Sequence, residues 1–299
     1  MTTKNNPNLA KQRYLMLQRA ARQSGRPTDE MMAIYVLEAF LARLGKSEHA
    51  SKLILKGGML LAAFTQRRVT RDIDLQAIGV ASEAEVVGSL VSDVAMILHP
   101  DGVAFDTSTM STEVVREGDD DSGMRVSMGA GLYTAELRLK VDVNVGDPVW
   151  PAPIEIEIPS VLADLPTIRL IGYPLPMVLA EKIVTAVSRG VASTRWRDFA
   201  DIVSLSGSNQ INGSELQDAL AAVATYREVE LLALRDVLAG YHEIAQSRWE
   251  RWLARQGLSE QISADFRQTL EQVFVLADPA LVDQVRESVW LPGEGWTAG

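Results

Sequence analysis

Residues 54–76 read ILKGGMLLAAFTQRRVTRDIDLQ and carry two aspartates, Asp72 and Asp74, inside a segment with the apolar content of a buried strand. Side chains alternate across a strand, so Ile73 and Leu75 point to a core while Asp72 and Asp74 leave the opposite face together, with Thr70 beside them. Two like charges this close are costly unless something positive lies between them, and burial raises the cost. A divalent cation meets that need. Mg²⁺ takes carboxylate oxygens and keeps positions free for substrate phosphates, which suits paired aspartates to metal-assisted phosphoryl chemistry. An edge strand with solvated aspartates, or aspartates paired with Arg67, Arg68 and Arg71, accounts for the same residues. Just upstream, KLILK (52–56) alternates as a short strand, Gly57-Gly58 breaks it, and MLLAAF restarts as a helix. Such a turn either simply reverses the chain or offers backbone N–H groups to a phosphate.

Outward from this stretch, residues 8–45 form a helical zone in which Met31, Ile34, Tyr35, Leu37, Phe40, Leu41 and Leu44 recur at helical spacing. SEAEVVGSLVSDVAMIL (82–98) reads as a helix capped by Ser82 with Glu85 three residues on. EGDDDSG (117–123) is an acidic turn whose spacing does not fit a calcium loop, and it reads as a solvated loop. LRLKVDVNV (137–145) is a strand with an apolar face and a polar one, and Asp142 lies on the polar face. There it is either a third site carboxylate or a surface residue among Arg138 and Lys140. PIEIEIPS (153–160) is a further strand, and MVLAEKIVTAVSRG (177–190) a helix.

On that helix Lys182 has only uncharged neighbours at three and four positions, namely Val178, Leu179, Thr185 and Ala186. A lysine so placed either snorkels to water or meets an anion. Gly190 breaks the helix, and Ser193 or Thr194 can cap the next, TRWRDFADI. In one straight helix Lys182 and Asp198 would stand about 24 Å apart, whereas a hairpin brings them together. Asp198 and Asp201 share a face, and a local network with Arg195 and Arg197 is the plainer account of them. From residue 196 onward the chain reads as nearly all helix. Trp249 and Trp252 there could stack nucleobases, but packing of the helical half is favoured.

The chain has 299 residues, 47% of them hydrophobic, enough for a substantial core. It has no cysteine, no apolar run long enough to span a membrane and no secretory leader, so a cytoplasmic protein is expected. The net charge of −10 argues against indiscriminate phosphate binding, yet basic residues gather at Arg67, Arg68 and Arg71 and along the N-terminal segment from Lys4 to Arg26. The alternation of elements predicts an α+β fold, a mixed-sheet domain leading into a helical half.

Taken together, KGGMLLAAFTQRRVTRDIDL, LKVDVNVGDP, LAEKIVTAVSRG and RWRDFADI resemble, in order, the motifs of the AbiEii/AbiGii-type nucleotidyltransferase toxins of bacterial toxin–antitoxin systems. These belong to the polymerase-β-like nucleotidyltransferase superfamily. The resemblance spans roughly residues 50–205. It implies a nucleotidyltransferase domain over 1–205, including the N-terminal helical segment, and a helical domain over 206–299. It further implies Mg²⁺ on Asp72 and Asp74, Asp142 as the third carboxylate that also helps deprotonate the acceptor, Gly57 and Gly58 along the NTP triphosphate, and Lys182 in contact with that triphosphate. One aspartate of RDFAD would complete the site, with Asp201 favoured over Asp198. Arg67, Arg68, Arg71, Arg189, Arg195 and Arg197 are candidates for the walls of an acceptor path. The superfamily's glycine-serine pair is glycine-glycine here, which removes a hydroxyl contact to phosphate. The implied activity is transfer of a nucleotide to RNA, at the 3′ acceptor end of tRNA in some relatives, which would block translation until a cognate antitoxin intervenes. A protein or small-molecule acceptor, and a catalytically silent regulator of the same fold, are the competing readings.

Overall fold

The computed structural model describes residues 6–65, 70–116 and 122–299. Arg67, Arg68 and the acidic positions 117–121 lie outside the described residues, as does Lys4. Contacts divide the chain into two units. The first comprises Met1–Ala63, Arg67–Gly146 and Ile154–Gly172, and the second Phe64–Gln66, Asp147–Pro153 and Tyr173–Gly299. The main division thus falls after Gly172, ahead of the 205/206 boundary that the sequence suggests.

In the first unit the helical zone is a pair, α1 (Pro7–Ser24) and α2 (Thr28–Leu44). The Asn6 side chain caps α1 by accepting from the Asn8 and Leu9 N–H groups, and Gly25 ends it in the left-handed conformation at φ 68°. α2 is buried on nearly all sides, by Ile34, Leu37, Phe40, Leu41 and Leu44. It also carries two buried charges, each with partners. Glu38 accepts from the Ser160 hydroxyl at 2.9 Å and the Val161 N–H at 2.8 Å. Arg43 pairs with Asp101 and donates to the carbonyls of Ala39, Ile97 and Val103. A charge inside a core persists only with such saturation.

The sheet is built from β1 (Leu53–Lys56), β2 (Ile73–Ala77), β3 (Val103–Arg116), β4 (Ser122–Leu132), β5 (Ala135–Val145), β6 (Ile154–Ile158) and β7 (Ile168–Gly172). Between these strands lie the short α3 (Gly57–Leu60) and α4 (Ala84–Met96). The strand order is β3-β4-β5-β2-β1-β7-β6. β2 runs parallel to β5 and β1 to β7, while the other pairs are antiparallel. The α+β class with a mixed sheet is as expected. Three local expectations need correction. The strand begins at Ile73, so Asp72 sits in the bend before it and only Asp74 is on the strand. Glu83, without a side-chain bond, replaces Ser82 as the cap of α4. The helix expected from MLLAAF is a single α3 turn that already starts at Gly57, continued by a 3-10 turn over Leu61–Ala63.

The second unit holds α5 (Leu175–Arg189), α6 (Trp196–Ser208), β8 (Ile211–Asn212), α7 (Gly213–Tyr226), α8 (Leu234–Val237), α9 (Tyr241–Gln256), α10 (Phe266–Leu281), β9 (Ser288–Leu291) and β10 (Gly295–Ala298). The helices enclose an aromatic cluster of Trp196, Phe199, Tyr241, Trp249 and Phe266. Trp249 is fully buried, donates from Nε1 to the Ser263 carbonyl and stacks on Trp252, so the pair packs the unit as favoured. The C-terminal part is not wholly helical: β10, β9 and β8 form a small antiparallel sheet. The cap of α6 is Arg195, and Ser193 instead accepts the Arg195 N–H, which displaces both Ser193 and Thr194 from the capping position.

Candidate active site

Strand register in the first unit lines up a row of charges across the sheet. Lys56 on β1 lies opposite Asp74 on β2, Asp74 opposite Asp142 on β5, and Asp142 opposite Arg125 on β4. Directly opposed residues leave the same face, so four strands present the sequence plus, minus, minus, plus. One residue along each strand the side chains turn to the other face. There Leu55, Leu75, Val143 and Met124 form a buried apolar row. The core thereby fixes which face the charges occupy.

Asp74 is the most stressed member. Burial pushes its carboxyl up, the negative charges of Asp72 and Asp142 push further, and Lys56 and the Gly58 N–H only partly offset this, leaving it at about 6. The Gly58 N–H approaches Asp74 Oδ2 at 3.4 Å. Gly57, at φ 67°, has no room for a side chain, because a Cβ there would stand 1.8 Å from the same oxygen. Gly57→Ala should therefore lower the urea midpoint by an amount equivalent to about 2 kcal/mol, from the left-handed backbone and the displaced carboxylate together. A midpoint equal to that of the unsubstituted protein would show that the close approach has no energetic weight. Ahead of β2, the buried Thr70 hydroxyl donates to Asp72 Oδ1 at 3.2 Å, joining the two residues expected to share a face. Arg71 is exposed.

Asp142 is held by Arg125, whose Nε and Nη2 donate to its two carboxylate oxygens at 2.7 and 2.6 Å. This bidentate fork is the strong geometry for such a pair. Among the described residues no three acidic or imidazole side chains gather closely enough to ligate one ion. Oxygen-only donors and the mutual repulsion of Asp72, Asp74 and Asp142 nonetheless fit a small hard cation, which would relieve the stress on Asp74.

In the second unit the break at Gly190 returns α6 alongside α5, as the hairpin reading requires. Lys182 meets anions and does not snorkel: its Nζ lies 3.2 Å from Asp198 Oδ1 and 2.7 Å from Asp201 Oδ2. Arg195 Nε binds the other Asp198 oxygen at 2.6 Å. Burial pushes the Asp198 carboxyl up, but the Lys182 and Arg195 charges outweigh it and hold the group below the usual carboxylate range. The network with Arg195 is real, whereas Arg197 is exposed and Arg189 sits in the last turn of α5. Lys56 and Arg125 are the residues sequence reasoning missed. Lys56 could have been noticed as the polar end of KLILK against the glycine turn, but only strand register reveals Arg125.

No helix among the described residues is long and apolar enough to cross a membrane. The family model described as nucleotidyl transferase AbiEii toxin, type IV toxin–antitoxin system, matches residues 39–286. Among solved structures, MenT4, a nucleotidyltransferase toxin from Mycobacterium tuberculosis H37Rv, is similar in fold over 90% of this chain and 98% of its own, with a TM-score of 0.51 and 17% identity. A candidate nucleotidyltransferase from H. pylori matches 85% of this chain and 96% of its own, with a TM-score of 0.47 and 12% identity. No curated protein matches the sequence.

Proposed function

We propose, from the premise that this chain belongs to the AbiEii family of nucleotidyltransferase toxins of type IV toxin–antitoxin systems, that it transfers a nucleotide from an NTP to RNA, at the 3′ acceptor end of tRNA, and so blocks translation. Family membership brings with it an NTP as substrate and an antitoxin as partner. The observation that carries the chemical reading is the stressed carboxylate face, where Asp74 at about 6 lies against Asp72, Asp142 and the Gly57-Gly58 turn.

Asp72 and Asp74 are the residues that would hold Mg²⁺, with Asp142 as third carboxylate. Bound there, the ion would neutralise charge on the reacting phosphates. The acceptor hydroxyl attacks the α-phosphorus in line, the bond to the β-phosphate oxygen breaks, and pyrophosphate departs. Asp142 accepts the hydroxyl proton. Backbone N–H groups at Gly57 and Gly58 serve the triphosphate in place of the serine hydroxyl that this chain lacks, and Lys182 is assigned to the same triphosphate. Asp201 is assigned to the site ahead of Asp198, which Arg195 already holds.

Incubating the protein with each labelled NTP and a total cell extract tests the acceptor. Label should enter the small-RNA fraction. Because the protein carries a net charge of −10, its RNA contacts must be confined to local basic patches. Replacing Arg67, Arg68 and Arg71 together by Gln should lower RNA labelling by about tenfold or more while NTP binding holds, and the salt dependence should become shallower. Label entering protein alone would exclude the RNA acceptor, and undiminished tRNA labelling by the triple variant at every salt concentration would exclude these three arginines from the acceptor path.

A further inference from the structure

The charge row continues beyond Arg125. On β3 the exposed Glu113 lies directly opposite Arg125, so the row across five strands reads Glu113, Arg125, Asp142, Asp74, Lys56. Arg125 thus stands between two carboxylates on one face, and a directly opposed residue on either side is within reach of a long side chain. In this structure its fork closes on Asp142 at 2.7 and 2.6 Å. The fork engages both Asp142 oxygens, while Asp74 stays under the negative charges of Asp72 and Asp142. We propose that Arg125 is a positioning residue that competes with the divalent cation for Asp142, exchanging Asp142 for Glu113 when the ion binds.

The electrostatic reasoning is direct. A guanidinium on Asp142 repels any cation approaching the neighbouring Asp74, and it occupies both oxygens of a prospective ligand. Moving Arg125 one strand outward removes the obstruction without exposing an unpaired carboxylate, because Glu113 receives the guanidinium and the ion receives Asp142. The two pairings involve partly exposed groups, with the Arg125 side chain 31% and Asp142 18% accessible, so the exchange does not require a fully desolvated charge to stand alone.

This inference rests on the carboxylate face being the metal-binding face, and its test avoids the transfer reaction. Mn²⁺ affinity is measured calorimetrically, without NTP, for the protein and its Arg125→Met, Arg125→Lys, Glu113→Gln, Asp142→Asn and Arg125→Met/Asp142→Asn variants. Melting curves verify that each is folded. Arg125→Met should bind Mn²⁺ at least about fivefold more tightly than the unsubstituted protein, since both Asp142 oxygens are released from the fork to the ion. Arg125→Lys should fall between, because it keeps the charge but loses the fork. The gain should vanish when Asp142→Asn is added. Glu113→Gln should weaken Mn²⁺ binding by removing the place to which Arg125 withdraws. Unchanged or weaker binding by Arg125→Met, a gain that survives Asp142→Asn, or undiminished binding by Glu113→Gln overturns the exchange, while labelling of RNA by the unsubstituted protein would still support nucleotide transfer. Absence of Mn²⁺ binding in every variant overturns both the exchange and the metal assignment.

Discussion

Asp74→Asn should yield a protein that is more stable and inactive at once. In the folded chain Asp74 titrates at about 6, against an ordinary value of 3.8, because of burial first and then the charges of Asp72 and Asp142. Between these values the folded state holds a proton that the unfolded chain has released. Stability therefore falls as pH rises from about 4 to about 6, and the loss remains above that range. An uncharged asparagine of the same shape escapes the loss. At pH 7.5 the variant should be more stable by on the order of 2 kcal/mol, with the gain fading as pH falls toward 4. Transfer should drop by at least about a thousandfold, the scale on which removing charge stabilisation from a phosphoryl or acyl centre acts. Urea titrations at several pH values and a labelled-NTP assay read the two effects separately. A variant that transfers at the rate of the unsubstituted protein would sink the assignment of Asp74, and one destabilised at pH 7.5 would mean that Lys56 and the Gly58 N–H outweigh the repulsion. A stability gained by removing a charged residue marks a place where the chain accepts strain for chemistry.

The elements legible in the sequence were those whose side chains alternate cleanly or recur at helical spacing. β1, β5 and β6 announce themselves in LILK, LRLKVDVNV and IEIEI, and α5 and α6 in the apolar spacing on either side of Gly190. β3 and β4 did not, because VAFDTSTMSTEVVR and SGMRVSMGAGL mix serine, threonine and glycine with apolar residues and blur the period-two signal. β7 and the small β8–β10 sheet did not stand out either, and the pairings of β7 with β1 and of β8 with β9 are long-range. The candidate residues divide the same way. That Lys182 meets Asp198 follows from a helix break that can be read locally. That Asp142 faces Asp74, and that Lys56 and Arg125 flank them, depends on which strands become neighbours. β2 and β5 are separated in sequence by α4, β3 and β4, so no local pattern reveals their register.

Lys182→Met should cost about 3–5 kcal/mol of stability near neutral pH. The ammonium lies between Asp198 and Asp201, whose side chains are 4% and 5% accessible, and the lysine side chain itself is only 13% accessible. Methionine fills the space but supplies no charge. Asp198 keeps Arg195, and both aspartates lose the ammonium. The pH dependence has a definite sign. Asp198 is held below 3.8 in the folded chain, so its favourable contribution is complete above that value and is lost as pH falls through the folded value. In the variant Asp198 loses one of the charges that hold it down and takes up a proton more readily, so the deficit should shrink as pH is lowered toward 4. Adding Asp201→Asn removes one of the two buried carboxylates that lose the ammonium and should return part of the stability, by the non-additivity expected of groups in one network. That double variant separates the two roles assigned to Lys182. With folding restored, transfer still reduced by about tenfold or more identifies a contact to the triphosphate, worth about 1.4 kcal/mol or more in the transition state, provided that Asp201→Asn alone is less impaired. Transfer equal to that of Asp201→Asn alone would mean that the lysine only holds α6 against α5.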